Sequence, residues 1–153
     1  VDALVPHLAT KMSCVEPCAG AGHLITEIAS KTDCYFTDAY DIEPQQPGIT
    51  QRNCLTLTEK DLYGVDLFIT NPPFTWKVLQ PIMDHLISLR PTWLLLPADY
   101  MHNVRMGPYM KMCYKVVSVG RLYWEDNKKK GVDNYAWFLF RKDNKHQTEF
   151  YGR

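Results

Sequence analysis

Apolar and polar residues alternate along this chain with changing periods, and those changes predict its secondary structure. Helical spacing, in which apolar residues recur every three to four positions, covers His23–Ser30 and Trp76–Leu89, with Pro81 as an early kink in the second. Short apolar runs predict strands at 12–16, 34–42, 66–70 and 92–96. Residues 1–9 have helix-like spacing interrupted by Pro6, and a short helix is expected within 104–113.

Towards the C-terminus the pattern changes to two strands around a polar loop. The strands are expected at 115–124 and 134–141, and the loop at 125–133 has the character of a hairpin tip. Because strands and helices alternate before this hairpin, we expect βαβ units. The sequence therefore predicts a three-layer α/β fold, with a mostly parallel sheet and an antiparallel C-terminal hairpin. In such folds the loops at the carboxyl ends of the strands form the site.

Composition limits the classes of protein to consider. A length of 153 residues suits one domain, so we expect residues 1–153 to form a single unit without a separate target-recognition domain. Seventeen basic and seventeen acidic residues give a net charge of zero, which excludes a strongly basic nucleic-acid coat. No apolar run approaches about 18 residues, so no membrane span is expected. Five cysteines without a C-x2-C pair predict a reduced, cytoplasmic protein without a metal site.

A glycine-containing loop, Glu16–Gly22, joins the first predicted strand to the first predicted helix. Glycines there let the backbone approach a ligand closely, at a helix N-terminus that favours a negative or polar group. The nicotinamide-dinucleotide pattern fails, because Ile25 stands at its third glycine position. A glycine turn that only closes the βα unit remains an equal alternative. Asp41, 19 residues after Gly22, stands where an acid that holds ribose hydroxyls is expected.

The sequence Asn71-Pro72-Pro73-Phe74 follows a predicted buried strand, and two consecutive prolines make it a fixed loop. The glycine loop, Asp41 and this loop, in that order, resemble the class I S-adenosylmethionine-dependent methyltransferases. More narrowly, the chain resembles the N6-adenine DNA methyltransferases, including small phage-type ones. The resemblance implies a Rossmann-like fold with a seven-stranded sheet, S-adenosylmethionine as cofactor, and DNA as substrate.

The resemblance implies that Asn71, Pro72, Pro73 and Phe74 are catalytic. An exocyclic amino group is a poor nucleophile, because its lone pair is delocalised into the ring. The side-chain oxygen of Asn71 and the carbonyl of Pro72 would accept its hydrogens, in a geometry that the prolines hold. Phe74 would offer a face on which the base stacks. The alternative is a rigid loop that only ends a strand.

The resemblance also assigns residues that would bind the cofactor. They lie in the glycine loop, after the second strand and around position 53: Glu16, Pro17, Ala19, Gly20, Gly22, Asp41, Ile42, Asn53 and Cys54. Asn53 departs from the family, which usually has an acid at this position. The family also carries an aromatic-containing segment before the first helix. This chain begins at Val1, so that segment is either absent or lies upstream.

Three consecutive lysines, Lys128, Lys129 and Lys130, lie at the expected hairpin tip beside aromatic residues. Together with Asn134 and Tyr135 they are the candidate substrate-binding residues, with the lysines contacting phosphates. The alternative is a solvated charge run at a turn.

The resulting hypothesis is methyl transfer to the N6 amino group of adenine in DNA, as in restriction-modification. An RNA methyltransferase acting on adenine N6 or guanine N2 is the first alternative, and protein glutamine methylation uses a similar loop. A catalytically silent subunit that binds nucleic acid or a partner is the second. Because the chain is neutral overall, we expect relaxed or short-site specificity, or a protein partner that supplies recognition.

Overall fold

The computed structural model describes residues 1–123 and 130–153, and the side chains of 123–131 lie outside that description. It contains eight strands: β1 (Ser13–Glu16), β2 (Tyr35–Asp41), β3 (Thr50–Gln51), β4 (Leu67–Thr70), β5 (Thr92–Pro97), β6 (Cys113–Tyr123), β7 (Lys130–Phe140) and β8 (Glu149–Tyr151). The α-helices are α1 (His23–Lys31), α2 (Trp76–Leu89) and α3 (Gly107–Met110). Short 3-10 turns cover Val5–His7, Cys54–Thr56, Glu59–Leu62, Ala98–His102 and Val104–Met106.

The strands form one sheet in the order β3-β2-β1-β4-β5-β7-β6-β8. β7 runs antiparallel to β5 and β6, and the other neighbouring pairs are parallel. From β1 the chain first adds strands on one side and then, from β4, on the other. The border between β1 and β4 is therefore the topological switch point, where α/β sheets bind ligands at their carboxyl ends. The predicted α/β fold with a C-terminal antiparallel hairpin is confirmed.

Both faces of the sheet are covered, which explains the continuous apolar runs in its central strands. Alternate residues of β5 divide between the faces: Trp93 and Leu95 pack with α1, whereas Leu94 and Leu96 pack with α2. A third apolar cluster, around Phe68, lies on the α2 side next to the turns that follow β3. The sheet is thus held rigidly where its strands end. None of the described helices has the length and apolarity needed to cross a bilayer.

Three details differ from the sequence-based expectation. The sheet has eight strands, whereas the apolar pattern placed six and the resemblance implied seven; the two that the pattern did not place are the short edge strands β3 and β8. Their residues are exposed, so they show no apolar period. Residues 1–9 form only a 3-10 turn at Val5–His7, whose first turn contains Pro6, a residue without a backbone N–H. The expected helix within 104–113 is divided between Val104–Met106 and α3.

Candidate functional site

A cavity of about 900 Å³ opens at the carboxyl ends of the central strands. Its volume lies within the usual range for a small-molecule site. Most of the residues that the sequence assigned to the cofactor or to catalysis line it, although they are distant in sequence: Glu16, Pro17, Ala19, Gly20, Asp41, Ile42, Asn53, Cys54, Asn71 and Pro73. Five other predicted site residues in the described part of the chain do not line the cavity: Gly22, Pro72, Phe74, Asn134 and Tyr135.

The glycine loop is held against the end of β2 by hydrogen bonds. Asp41 Oδ2 accepts one from the backbone N–H of Gly20 at 2.7 Å, and Asp41 Oδ1 accepts another from Glu43 at 2.8 Å. Gly20 and Gly22 have φ of +51° and +75°, which is left-handed backbone that other residues rarely adopt. Gly22 is the N-cap of α1, so its role is to start the helix. Each carboxylate oxygen retains a lone pair for a ligand.

Glu16, the last residue of β1, is a buried acid on the cavity wall. Its side chain is 2% exposed, and Oε2 finds no hydrogen-bond partner within residues 1–123 and 130–153. Burial, and secondarily the charge of Asp41, raise the pKa of this carboxyl to about 8. Glu16 is therefore protonated at neutral pH. A buried polar atom without a partner is costly, and a polar or cationic ligand in the cavity would satisfy it.

The β2 side of the cavity suits a flat, apolar group. Ile42, which follows β2, is 64% exposed, and Leu55 is also exposed, although both are large apolar side chains on the wall. Asn53 Oδ1 accepts a hydrogen bond from the backbone N–H of Leu55 at 3.0 Å and so caps the Cys54–Thr56 turn. The predicted contact of Asn53 with the cofactor stays a prediction, for which Oδ1 retains a second lone pair as an acceptor.

Two thiols face the same cavity. A hydrogen bond with Cys54 is the main cause that raises the pKa of the Cys18 thiol, and the same bond lowers the pKa of Cys54. All five cysteines are free. Among the residues that the structure describes, no group of His, Cys, Asp and Glu is arranged to hold a metal ion.

The Asn-Pro-Pro-Phe loop leaves the end of β4 directly beside this cavity. Asn71 Oδ1 is buried and has no hydrogen-bond partner among the described residues. The Phe74 ring is half-buried, with its centroid 5.7 Å from that of Tyr135, and Tyr100 Oη donates to the Phe74 carbonyl at 2.7 Å. The loop is thus anchored at Phe74 while Asn71 presents an unused acceptor. Stacking of a base on Phe74 stays a prediction.

Most of the predicted substrate-binding hairpin falls outside the described residues. Lys128 and Lys129 lie outside them, and of Lys130 only the backbone, at the start of β7, is described. Asn134 is exposed and lies opposite Arg121 in the β6–β7 pair. Tyr135 is buried and reaches the site through its contact with Phe74. The roles given to these five residues stay predictions.

Several cavity residues were missed by sequence reasoning. His23 and Leu24 begin α1, and their place directly after a glycine loop could have signalled them. Leu95 and Trp137 belong to the buried core, and both also line the cavity. Other missed wall residues come from loops and from α2: Gln45, Lys77, Val78, Pro81 and Ile82. Their contribution depends on how the elements pack, which no local pattern reveals.

Comparisons with known proteins agree with this architecture. No family model matches the sequence, and no curated protein matches it. A chain described as a class I S-adenosylmethionine-dependent methyltransferase from Listeria monocytogenes superposes with a TM-score of 0.63 at 10% identity. That match covers 99% of this chain and 62% of the Listeria chain. This chain has the fold of the class I methyltransferases.

Two further solved structures match this methyltransferase fold, and their descriptions name different substrates. The E. cuniculi Mtq2–Trm112 complex, described as responsible for methylation of the eRF1 termination factor, gives a TM-score of 0.60 at 10% identity over 92% of both chains. A dimethyladenosine transferase from Plasmodium falciparum gives 0.58 at 16% identity, over 93% of this chain and 61% of that one. At such identities the similarity is one of fold alone.

Proposed function

We propose that this chain is a methyltransferase that uses S-adenosylmethionine to methylate the N6 amino group of adenine in DNA. One observation carries the proposal: Asn71 Oδ1 is a buried, unused acceptor among the described residues, on the wall of a cavity closed by a glycine loop. An amino group that enters the cavity would satisfy this acceptor with one of its N–H bonds.

The cavity fits the proposed cofactor in size and in chemistry. Ile42 and Leu55 would enclose the adenine ring, and the free lone pairs of Asp41 would accept from the ribose hydroxyls. Glu16 Oε2, which lacks a partner in the described chain, would meet the polar part of the ligand. When bound, the cofactor supplies an electrophilic methyl group on sulfur. The chain's own residues bind the cofactor, orient the base and activate its amino group.

Activation of the amine requires two acceptors at fixed positions. Asn71 Oδ1 and the Pro72 carbonyl would accept the two N–H bonds, which concentrates the lone pair on nitrogen. The prolines and the Tyr100–Phe74 hydrogen bond hold the loop still, so the contribution is mainly one of positioning. A base must leave its stack to reach Asn71, which implies base flipping or a single-stranded substrate.

The same loop geometry suits other amino groups. An RNA base amine is the first alternative, since a chain with the same fold is described as a dimethyladenosine transferase. A protein amide is another, since Mtq2–Trm112 is described as methylating a termination factor. That complex also supports our proposal that a partner protein contributes to recognition. A silent subunit is disfavoured, because such a protein has no need for a buried, unused Asn71 acceptor.

The test is incubation with tritiated S-adenosylmethionine and unmethylated DNA, RNA or protein, followed by digestion and mass analysis of the products. We expect N6-methyladenine from DNA. Asn71→Ala should abolish transfer and leave cofactor affinity nearly unchanged. Gln147→Ala, an exposed amide far along the chain, is the matched control and should transfer normally. Label only in RNA or in protein would select that alternative, and transfer by Asn71→Ala at the normal rate would overturn the catalytic assignment.

A further inference from the structure

An arginine guanidinium lies over a tryptophan ring beside the Asn-Pro-Pro-Phe loop. Trp76 is the first residue of α2, two positions after Phe74, and Arg105 lies in the 3-10 turn Val104–Met106. The guanidinium carbon of Arg105 is 6.0 Å from the centroid of the Trp76 ring. Neither side chain lines the cavity of the described chain, so the pair is separate from the proposed cofactor site.

Both members of this pair are held in place by the surrounding structure. Asn103 Oδ1 accepts a hydrogen bond from the backbone N–H of Arg105 at 3.0 Å, and the next residue, Met106, is fully buried. The Trp76 ring is half-buried and meets the Tyr109 ring edge-on, with centroids 6.1 Å apart. The arginine head is thus positioned before a ligand arrives, which lowers the entropy that a contact costs.

The charge of Arg105 is not paired with an acid among the described residues. Arg52 forms an ion pair with Asp61 at 2.8 Å. Arg90 forms one with Glu59 at 2.7 Å. Arg105 is exposed, and its side chain makes neither an ion pair nor a hydrogen bond within the described part of the chain. Its N–H donors are therefore available to an anion, in a planar fork that matches phosphate oxygens.

The pair lies close to the place where the target base would be held. The segment that follows β5 and carries Arg105 is tied to the loop by the hydrogen bond from Tyr100 to Phe74. Trp76 follows Asn71 by five residues, so their Cα atoms are at most about 18 Å apart. Phosphates recur about every 3.4 Å along one strand of DNA, so this distance corresponds to about five nucleotides.

We propose that Arg105, held over Trp76, binds a backbone phosphate of the DNA substrate within a few nucleotides of the target adenine. The inference rests on the proposed function and adds a contact that positions the DNA. Because the chain has no net charge, its attraction for DNA has to come from individual basic side chains of this kind. A phosphate contact fixes the register and orientation of the strand and carries no sequence information.

The salt dependence of DNA binding tests this contact. Each phosphate contact steepens the fall of log affinity with log salt concentration by about 0.9, which is about threefold in affinity between about 50 and 200 mM salt. Fluorescence anisotropy with a labelled, adenine-containing duplex gives this slope for the unaltered chain, for Arg105→Gln and for Arg105→Lys. Arg141→Gln is the matched control, since its guanidinium also lies over a ring, that of Tyr114 at 4.3 Å. Arg141 lies at the other end of the strands, where β5 begins.

We expect Arg105→Gln to lower the slope by about the share of one contact and to raise the KM for DNA. Its kcat and its affinity for S-adenosylhomocysteine should stay unchanged. Arg105→Lys should keep the slope, because it keeps the charge, and Arg141→Gln should keep it as well.

An unchanged slope in Arg105→Gln, or an equal loss in Arg141→Gln, would overturn the phosphate contact while the proposed function stands. Repeating the measurement on RNA of the same sequence separates the two polynucleotides, and a loss of slope on RNA alone would overturn the contact with DNA. If the unaltered chain neither binds nor methylates DNA, the contact and the proposed function both fail.

Discussion

The carboxylate of Asp41 and the backbone N–H of Gly20 form a 2.7 Å hydrogen bond that ties the glycine loop to the end of β2. The second oxygen of Asp41 accepts from the backbone N–H of Glu43, so one side chain holds both the glycine loop and the turn that follows β2. An acid at this position is therefore part of the architecture of the loop as well as a candidate ligand for ribose hydroxyls.

Replacing Asp41 should affect both roles. Asp41→Ala leaves the Gly20 and Glu43 amides without their acceptor, at a cost of about 1–3 kcal/mol in the free energy of unfolding. We also expect S-adenosylhomocysteine to bind at least tenfold more weakly. Urea denaturation and calorimetry measure the two effects. Asp33→Ala, at an exposed loop acid, serves as the control. Full affinity in Asp41→Ala would show that the ligand does not use this carboxylate.

Glu16 should make stability depend on pH in a defined direction. Its pKa is about 8 in the folded chain against 4.5 in the unfolded one, so between these values the folded state holds the extra proton. The free energy of unfolding should then fall as pH rises from about 4.5 to about 8, by up to about 1.4 kcal/mol per pH unit. Glu16→Gln should remove this slope when urea denaturation is repeated at pH 5, 6.5 and 8.

The control for that series is Glu43→Gln, which changes an exposed glutamate near the same cavity and should keep the slope. An unchanged slope in Glu16→Gln would mean that another group titrates in this range.

The Tyr100 hydroxyl should matter for transfer more than for cofactor affinity. It donates to the carbonyl of Phe74 and so fixes the end of the Asn71 loop. Tyr100→Phe removes this bond, with a cost of about 1 kcal/mol, and should lower kcat several-fold. The affinity for S-adenosylhomocysteine should stay within twofold. Tyr63→Phe, at a residue 96% exposed, is the control. Equal losses in kcat and cofactor affinity would contradict a role confined to the loop.

Ligand binding should protect one pair of cysteines from alkylation. The pKa of Cys54 is lowered by its hydrogen bond with Cys18, and both residues face the cavity, so Cys54 should react first with iodoacetamide. Burial raises the pKa of Cys14 and of Cys113 to about 12, so these thiols should react slowly. Mass spectrometry of peptides with and without S-adenosylhomocysteine measures each site. If the ligand left the labelling of Cys54 unchanged, the ligand would bind elsewhere.

Several elements of the fold were predictable because their signals are local. The apolar spacing of Trp76–Leu89 matches α2 residue for residue, and the run at 92–96 matches β5 within one position. β3 and β8 were not predicted, because strands of two or three exposed residues show no alternation of apolar and polar positions. The candidate site residues in the glycine loop and in the Asn-Pro-Pro-Phe loop were predictable because glycine and proline mark turns in the sequence.

The sequence by itself determined the α/β alternation, the glycine turn after β1 and the rigid loop that begins at Asn71, since period and turn chemistry depend on near neighbours. Only the tertiary structure decided that a carboxylate oxygen of Asp41 accepts a hydrogen bond from the Gly20 N–H. It also decided that Glu16 Oε2 is buried without a partner among the described residues, and that Trp137 borders the cavity. These relationships join residues that the strand order brings together. The free energy of such contacts depends on burial and distance in space, which no sequence window contains.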